Sequence, residues 1–271
     1  MSKVVLSNGI QISYNYEWTE DNRETLVFMN GTFNSMKDWN EIASVLKQNK
    51  PYNILTFDMR NQGESTRSKE DFLYSDLVKD VSLFFEYLKL DNFTVITYSS
   101  SSTMAIDYIS ENPGKVKRLI LGAPVVNPYG KFKRQLISQA SLKMFEFGDL
   151  KDVITLSFPL MYSNAFVEQN QHLFGFIEEQ FHQTVEKSLL LPYMKAWDGN
   201  DMNMSKLKSV LESVNTHYIH GEEDIFNPKM FSIKLQEEID DLQLHILPGK
   251  GHDFLAEDKT TYIQLLESIL K

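Results

Sequence analysis

The chain of 271 residues contains no cysteine. This absence excludes disulfide bonds, a thiolate nucleophile, and any metal or iron–sulfur centre held by cysteine. A chain without cysteine is also compatible with a reducing compartment, and we expect a cytoplasmic protein.

Positive charge is scarce. Lysine and arginine number 27 against 37 aspartate and glutamate residues, so the formal net charge is −10. Phosphate backbones and anionic lipids would repel such a chain, and we expect neither nucleic acid nor a membrane surface as partner. Long apolar runs are missing too, since no window approaches about 18 apolar residues and the first residues contain no uninterrupted apolar core. We therefore expect no membrane span and no signal peptide.

Hydrophobic residues are abundant, at 42% of the chain, and they form short apolar runs separated by helical patterns. Near-continuous apolar runs are typical of strands that are buried on both faces. Their alternation with helices predicts an α/β fold with a mostly parallel central sheet flanked by helices. The predicted strands are Val4–Leu6, Ile10–Tyr16, Thr25–Asn30, Tyr52–Asp58, Phe93–Thr97, Val116–Leu121, Val214–Ile219 and Leu242–Leu247.

The strand pattern is interrupted between about Pro124 and Asn200. This segment is rich in Phe, Leu and Met and predicts several helices. Ligands of open α/β sheets bind beyond the carboxyl ends of the strands. We therefore interpret 124–200 as an inserted helical cap over that edge, and 1–123 with 201–271 as the core domain.

The serine-rich segment at 97–105, TYSSSSTMA, follows a predicted buried strand. A sharp turn from strand to helix exposes one side chain beside the free N–H groups of the helix, provided that the residues two positions away are small. Ser99 fits this nucleophile elbow with Thr97 and Ser101 as its flanking residues. Both stand where glycine is usual.

Other serines of the segment remain alternatives at this point. Ser101 has small flanking residues in Ser99 and Thr103, whereas Ser100 would place the bulky Tyr98 at the crowded position. Ser102 would lie within the helix. Serine also caps helices well, so capping alone would explain the segment.

Two downstream residues favour the catalytic interpretation. Asp224 follows the predicted strand Val214–Ile219, and His252 follows the predicted strand Leu242–Leu247. Serine, acid and histidine in this chain order, each on a loop after a strand, are the groups of a nucleophilic triad. The histidine takes and returns the serine proton, and the carboxylate orients the histidine.

With these residues the chain resembles the α/β-hydrolase superfamily over nearly its whole length. The segment Asn30–Phe33 (NGTF) stands where the family carries His-Gly-x after its first buried parallel strand. The segment Asp58–Ser65 (DMRNQGES) is similar to the family's Asp-x-Arg-Gly-x-Gly-x-Ser loop. Pro113 lies 14 residues after Ser99, an interval that the resemblance implies between the nucleophile and the proline closing the next helix.

The resemblance implies Ser99 as nucleophile, Asp224 as acid and His252 as base. It also implies an oxyanion hole formed by the backbone N–H groups of Ser100 and Thr32. Each such donor contributes about 2.7–4 kcal/mol to stabilisation of the transition state.

The sequence departs from the family pattern at the elbow and before it. Thr97 and Ser101 replace both glycines, and Asn30 replaces a common histidine. A displacement of the Ser99 hydroxyl by about 1 Å would lower the rate about a hundredfold.

A closer similarity links the chain to bacterial synthases of 3-(3-hydroxyalkanoyloxy)alkanoates. It rests on the segments 30–31, 97–105, 112–114, 169–172 and 249–252. This resemblance implies transfer of an acyl group to a second hydroxyl rather than to water.

For the substrate we expect an ester or thioester with a largely apolar acyl part, free or held by an acyl carrier. Phe33, Phe166 and Trp197 are predicted to contact it, and Phe33 is also the alternative oxyanion donor. No cofactor or metal is expected, since His217 and His220 lie three apart on a strand and point to opposite faces. Three functions follow as hypotheses: an esterase or thioesterase, an acyltransferase, and a ligand-binding protein without turnover.

Overall fold

The computed structural model describes residues 1–19, 23–126, 129, 131–197 and 202–271, with 131 and 182–184 described by their backbone alone. Its centre is an eight-stranded sheet in the spatial order β1-β2-β4-β3-β5-β6-β7-β8. The strands are β1 Ser2–Val5, β2 Gln11–Glu17, β3 Thr25–Met29, β4 Asn53–Asp58, β5 Phe93–Tyr98, β6 Val116–Gly122, β7 Asn215–Gly221 and β8 Gln243–Leu247.

The sheet is mostly parallel. Strands β3 to β8 pair in parallel, while β1 pairs antiparallel with β2, and β2 antiparallel with β4. The prediction of an α/β fold with a mostly parallel sheet is therefore confirmed. The carboxyl ends of the parallel strands meet at one edge, where the candidate site lies.

Burial on both faces explains the continuous apolar runs. In β3, Val27 and Met29 join the core cluster on one face of the sheet, whereas Leu26 and Phe28 join the cluster on the other. Burying each such side chain stabilises the fold by about 1.5–3 kcal/mol, so polar substitutions there would be strongly unfavourable.

Helices cover both faces of the sheet. Their bounds are α1 Asn40–Asn49, α2 Tyr74–Tyr87, α3 Ser101–Glu111, α4 Lys131–Phe147, α5 Leu150–Met161, α6 Asn164–Gln169, α7 Phe174–Thr184, α8 Lys187–Trp197, α9 Met204–Ser213, α10 Lys229–Glu238, α11 Phe254–Glu257 and α12 Lys259–Ile269. No helix in the described part of the chain is long and apolar enough to cross a membrane.

Five of these helices, α4 to α8, follow β6 without an intervening strand, and we call them the cap helices. A small apolar cluster of their own, containing Phe145, Val153 and Leu190, holds them together. The division into a core and a cap at 124–200 stays a prediction, and its end at Asn200 lies outside the described residues. Several cap aromatics that would suit an apolar interior instead face outward, among them Phe132, Phe147 and Phe176.

Candidate active site

Ser99 stands at the sharp turn between β5 and α3. Its φ of 52° lies in the left-handed region, which a non-glycine residue occupies only when its surroundings enforce it. The surrounding backbone does so, because the Ser99 N–H donates to the Gly122 carbonyl of the neighbouring strand at 2.8 Å. The turn therefore presents the Ser99 hydroxyl at the end of the sheet.

The residues that replace the usual glycines are fully buried and hydrogen-bonded. The Ser101 hydroxyl donates to the Met29 carbonyl at 2.9 Å and accepts from the Tyr98 N–H at 3.0 Å. The Thr97 hydroxyl lies 2.9 Å from that of Ser102. The hydroxyls of Ser101 and Ser102 are held inside the turn and that of Ser100 contacts Thr32, so Ser99 is the serine of the run that contacts His252.

A continuous hydrogen-bond chain joins the three predicted catalytic side chains. The Ser99 Oγ lies 2.9 Å from Nε2 of His252, and Nδ1 of the same ring lies 2.8 Å from Oδ2 of Asp224. The other carboxylate oxygen accepts the backbone N–H groups of Phe226 at 2.8 Å and Asn227 at 3.1 Å. Both oxygens of Asp224 are thus fixed, and the imidazole is oriented toward the serine.

The electrostatics suit proton transfer. Burial alone would lower the pKa of His252, but the negative charge of Asp224 and the hydrogen bond to it hold that pKa above its usual value. Burial opposes ionisation of Asp224, yet the His252 ring, His220 and the Asn227 N–H keep its pKa below the usual range. The pair therefore favours a carboxylate beside an imidazole that readily accepts a proton.

The loops that carry Asp224 and His252 are packed backbone to backbone. A Cβ at Gly221 would lie only 2.0 Å from the carbonyl oxygen of Gly251. The Glu223 N–H donates to the Lys250 carbonyl at 2.8 Å, which ties the loops a second time. Glycine at position 221 is therefore what lets the loop of the acid approach the loop of the base.

The predicted oxyanion donors lie beside the elbow. Gly31 packs so closely that a Cβ there would be 3.3 Å from the Tyr98 carbonyl and 3.5 Å from the Cβ of Ser99. Within the described chain, the backbone N–H groups of Thr32 and Ser100 take part in no backbone hydrogen bond. Their side chains contact each other, with the Thr32 hydroxyl donating to the Ser100 Oγ at 3.0 Å. Both residues line the same cavity as Ser99.

Asn30 braces the site without touching the reacting groups. Its amide donates to the Phe57 carbonyl at 2.8 Å, and its carbonyl oxygen accepts from the indole of Trp39 at 2.9 Å. Asp58 accepts the N–H of Met36 at 2.7 Å, which anchors the segment after Asn30. The substitution of the family histidine is therefore structurally compensated.

A cavity of about 330 Å³ opens above Ser99 and His252, between the core and the cap helices. Of the predicted substrate contacts, Phe33 and Trp197 line it. Phe166 does not, because its ring stacks on Tyr162 with centroids 4.9 Å apart. The expectation that Phe166 contacts substrate in this cavity therefore does not fit its position.

Sequence reasoning missed several wall residues. Arg134, Ser138 and Ser141 line the cavity from α4, and their spacing of four and three residues could have placed them on one helical face. Asp253 lines it from beside His252. Burial raises the pKa of Asp253, whose carboxyl accepts from the Tyr98 hydroxyl at 3.2 Å.

The remaining histidines of β7 are engaged elsewhere. His217 lies 3.0 Å from His245 of β8, and His220 lies 3.2 Å from the Ser232 hydroxyl. Among the described residues, no group of three or more potential ligand side chains is arranged to hold a metal ion.

Comparison with known proteins identifies the architecture. A family model described as "alpha/beta hydrolase fold" matches residues 24–217. An α/β-hydrolase enzyme from a Medee basin deep-sea metagenome library superposes with a TM-score of 0.87 at 21% identity, over 99% of this chain and 97% of that chain. An esterase from Exiguobacterium antarcticum gives 0.81 at 16% identity, over 99% and 98%. At such identities the likeness concerns the fold alone.

Curated relatives are distant. The AB hydrolase superfamily protein YisY of Bacillus subtilis is 23% identical over 218 residues, which is 77% of each chain. A probable alcohol acetyltransferase of Wickerhamomyces anomalus is 29% identical over 111 residues, covering 40% of this chain and 32% of that protein. The match thus spans about a third of the acetyltransferase.

Proposed function

Because the chain belongs to the α/β-hydrolase family, we propose that it cleaves an ester or thioester through an acyl-enzyme on Ser99. The observation that carries this proposal is the hydrogen-bond chain from Ser99 through His252 to Asp224, with links of 2.9 and 2.8 Å. A hydroxyl, an imidazole and a carboxylate in this order supply the nucleophile, the base and its orienting group.

The first half of the reaction forms the acyl-enzyme. The Ser99 Oγ attacks the carbonyl carbon while its proton passes to Nε2 of His252, and Asp224 stabilises the resulting imidazolium. The oxyanion accepts hydrogen bonds from the N–H groups of Thr32 and Ser100. The C–O or C–S bond then breaks, and the leaving group takes the proton from His252.

The second half releases the acyl group. A water molecule gives a proton to His252, attacks the acyl carbon, and frees Ser99 with its hydroxyl restored. With an alcohol in place of water, the same steps make a new ester. This acyltransferase is the second candidate, and it is favoured by the partial similarity to probable alcohol acetyltransferases.

Labelling with a fluorophosphonate probe tests the nucleophile. We expect the protein to be labelled, and the label to disappear in Ser99→Ala but persist in Ser101→Ala, its matched control. Labelling that survives in Ser99→Ala would contradict the assignment. A folded protein that binds a ligand tightly but is neither labelled nor active would be a binding protein instead.

Product analysis separates the two acceptors. Incubation with acyl thioesters of varied length, followed by mass spectrometry, should show an acylated Ser99. Adding increasing concentrations of a primary alcohol then shows whether the acyl group passes from Ser99 to water or to the alcohol. Free acid as the sole product indicates hydrolysis, and ester that rises with alcohol concentration indicates transfer.

A further inference from the structure

The side chain of Tyr98 reaches from the turn that carries the nucleophile to the loop that carries the base. Tyr98 directly precedes Ser99, and its backbone N–H donates to the Ser101 hydroxyl inside the turn at 3.0 Å. Its phenol hydroxyl donates to the backbone carbonyl of His252 at 2.8 Å. Tyr98 therefore connects the two residues between which the proton is proposed to pass.

The phenol of Tyr98 is fixed in place. The residue is only 2% exposed, and its ring packs edge-on against Phe254 at a centroid distance of 5.4 Å and against Trp39 at 6.4 Å. A hydrogen bond of 2.8 Å has the usual length for a hydroxyl donor. Burial and the nearby Asp253 carboxyl hold the pKa of Tyr98 well above its usual value, so the phenol remains a donor at neutral pH.

A second acceptor lies on the same loop. The Tyr98 hydroxyl is also 3.2 Å from Oδ1 of Asp253, and a phenol has a single proton to donate. His252 and Asp253 are consecutive residues, so either hydrogen bond holds the same short segment. The cap helices hold this segment too, because the Asp253 N–H donates to the carbonyl of Met161 at the end of α5 at 2.8 Å.

These contacts form a closed ring through the reacting groups. The ring passes from the Ser99 hydroxyl to Nε2 of His252 at 2.9 Å, and along that residue to its backbone carbonyl. The phenol of Tyr98 closes the ring, since Tyr98 is covalently joined to Ser99. A shift of the His252 backbone away from the serine must therefore lengthen one of the two hydrogen bonds. Asp224 acts at a different point, because it bonds Nδ1 of the imidazole and so orients the ring.

We propose that Tyr98 is a positioning residue whose phenol holds the backbone of His252 at the distance from Ser99 that proton transfer requires. The proposal rests on the proposed function, and it gives Tyr98 a part in the chemical step rather than in substrate binding. Because the hydroxyl is engaged inside the protein, its loss should leave substrate binding unchanged. Attack by the serine should become slower, since a reacting group that leaves its position loses rate steeply.

The variant Tyr98→Phe tests the proposal, since it removes the hydroxyl and keeps the ring. With p-nitrophenyl butyrate we expect kcat to fall about tenfold and KM to change by less than about twofold, which is the pattern of an interaction that acts on the transition state. The rate of labelling by a fluorophosphonate probe should fall by about the same factor, because labelling also requires Ser99 and His252 in contact.

Tyr52→Phe is the matched control. The Tyr52 hydroxyl is also buried and donates to a backbone carbonyl, that of Leu270, at 3.1 Å. It stands before the amino end of β4, at the edge of the sheet opposite to Ser99. We expect both variants to lose a comparable part of the free energy of unfolding, measured with denaturant, whereas Tyr52→Phe keeps the wild-type kcat.

Amide hydrogen exchange at Asp253 measures the hold on the loop independently of any reaction. It should be faster in Tyr98→Phe than in the wild type and in Tyr52→Phe. Wild-type kcat and labelling in Tyr98→Phe, or an equal fall in Tyr52→Phe, would overturn the positioning role. A wild type that reacts with neither the ester nor the probe would overturn the acyl-enzyme instead, while faster exchange in Tyr98→Phe would still show that the phenol holds the loop.

Discussion

The hydroxyl of Ser101 shows how single residues adapt the elbow. A glycine at this position leaves room in the turn, whereas Ser101 fills the room and uses its hydroxyl to bond the Tyr98 N–H and the Met29 carbonyl. Its neighbour Thr97 is satisfied in the same way by Ser102. The crowding expected from the sequence is therefore accommodated by internal hydrogen bonds, because both replacements carry short polar side chains.

The raised pKa of His252 predicts a pH dependence. The base must be neutral to accept a proton, so kcat/KM should rise with pH and its acidic limb should have a midpoint above 6.5. Asp224→Asn removes the negative charge that raises this pKa. We expect the limb to move to lower pH and the plateau to fall, by up to about 10⁴-fold, as in other triads that lose their carboxylate.

The check is a pH–rate profile of both proteins, with Glu223→Gln as a control that removes a neighbouring charge outside the hydrogen-bond chain. An acidic limb that stays in place when Asp224 becomes Asn would show that another group raises the pKa of His252.

At the scale of elements, much of the sheet could be predicted. The strands β3 to β7 could be predicted from their apolar runs, since both of their faces are largely buried, whereas the edge strand β8 is only partly buried. The spatial order of the strands could not be predicted from the sequence, because it depends on which face of the sheet each connecting helix crosses. Side-chain positions in the cap helices were harder to predict. The apolar character of Phe132 and Phe166 predicts interior positions, but Phe132 is exposed and Phe166 packs outside the cavity.

The same distinction holds for the candidate site. The proximity of Ser99, Asp224 and His252 could be predicted because chain order and strand ends constrain them. Arg134 could not, because the direction in which an inserted helix faces is decided by packing against the core.

The contact between the acid loop and the base loop gives a prediction for Gly221→Ala. The added methyl would meet the Gly251 carbonyl at 2.0 Å and force the loops apart. Since a shift of about 1 Å in a reacting group lowers rates about a hundredfold, we expect kcat/KM to fall by that order. Gly175→Ala is the matched control, because a Cβ there meets nothing within 4 Å. Wild-type kinetics for Gly221→Ala would contradict the close packing.

The stacked pair of His217 and His245 links β7 and β8 and predicts a pH-dependent stability. Burial lowers the pKa of His217 to about 4, helped by His245 and Arg118, and burial also lowers that of His245. The folded state therefore favours the neutral rings, and the stability that they confer is present above pH 6.5 and lost as pH falls toward 4.

Denaturant unfolding at pH 7 and pH 5 measures this effect. The double variant His217→Phe with His245→Phe keeps two stacked rings but cannot titrate. We expect wild type to lose about 1–2 kcal/mol more than the variant between the two pH values. Equal losses in both proteins would exclude the pair as the source.

On the scale of the whole molecule, hydrogen bonds join the cap helices to the loop that carries His252. The Glu257 carboxylate accepts the N–H of Gly251 at 2.9 Å and both the N–H and the hydroxyl of Ser163 at 2.7 Å. The Asp253 N–H donates to the Met161 carbonyl at 2.8 Å. Residues on either side of His252 are thereby joined to the end of α5.

Removing this link should loosen His252 without removing any reacting group. In Glu257→Gln, one acceptor oxygen becomes a donor that faces N–H groups, so the segment before His252 is held less firmly, and we expect the displaced ring to lower kcat by about tenfold. Amide hydrogen exchange at Gly251 and Ser163 should become faster at the same time. Glu237→Gln, an exposed change on α10, serves as control, and unaltered exchange at both amides would argue against the link.

This fastening also decides how the enzyme can open. Residues 161–163 are hydrogen-bonded to the loop that carries His252. If these bonds persist while the cap helices move, residues 161–163 act as the hinge, and the cap residues farthest from them are displaced most. Since Ser141 and Phe145 of α4 line the cavity together with Ser99, we expect a movement of α4 to change the width of the cavity over the serine.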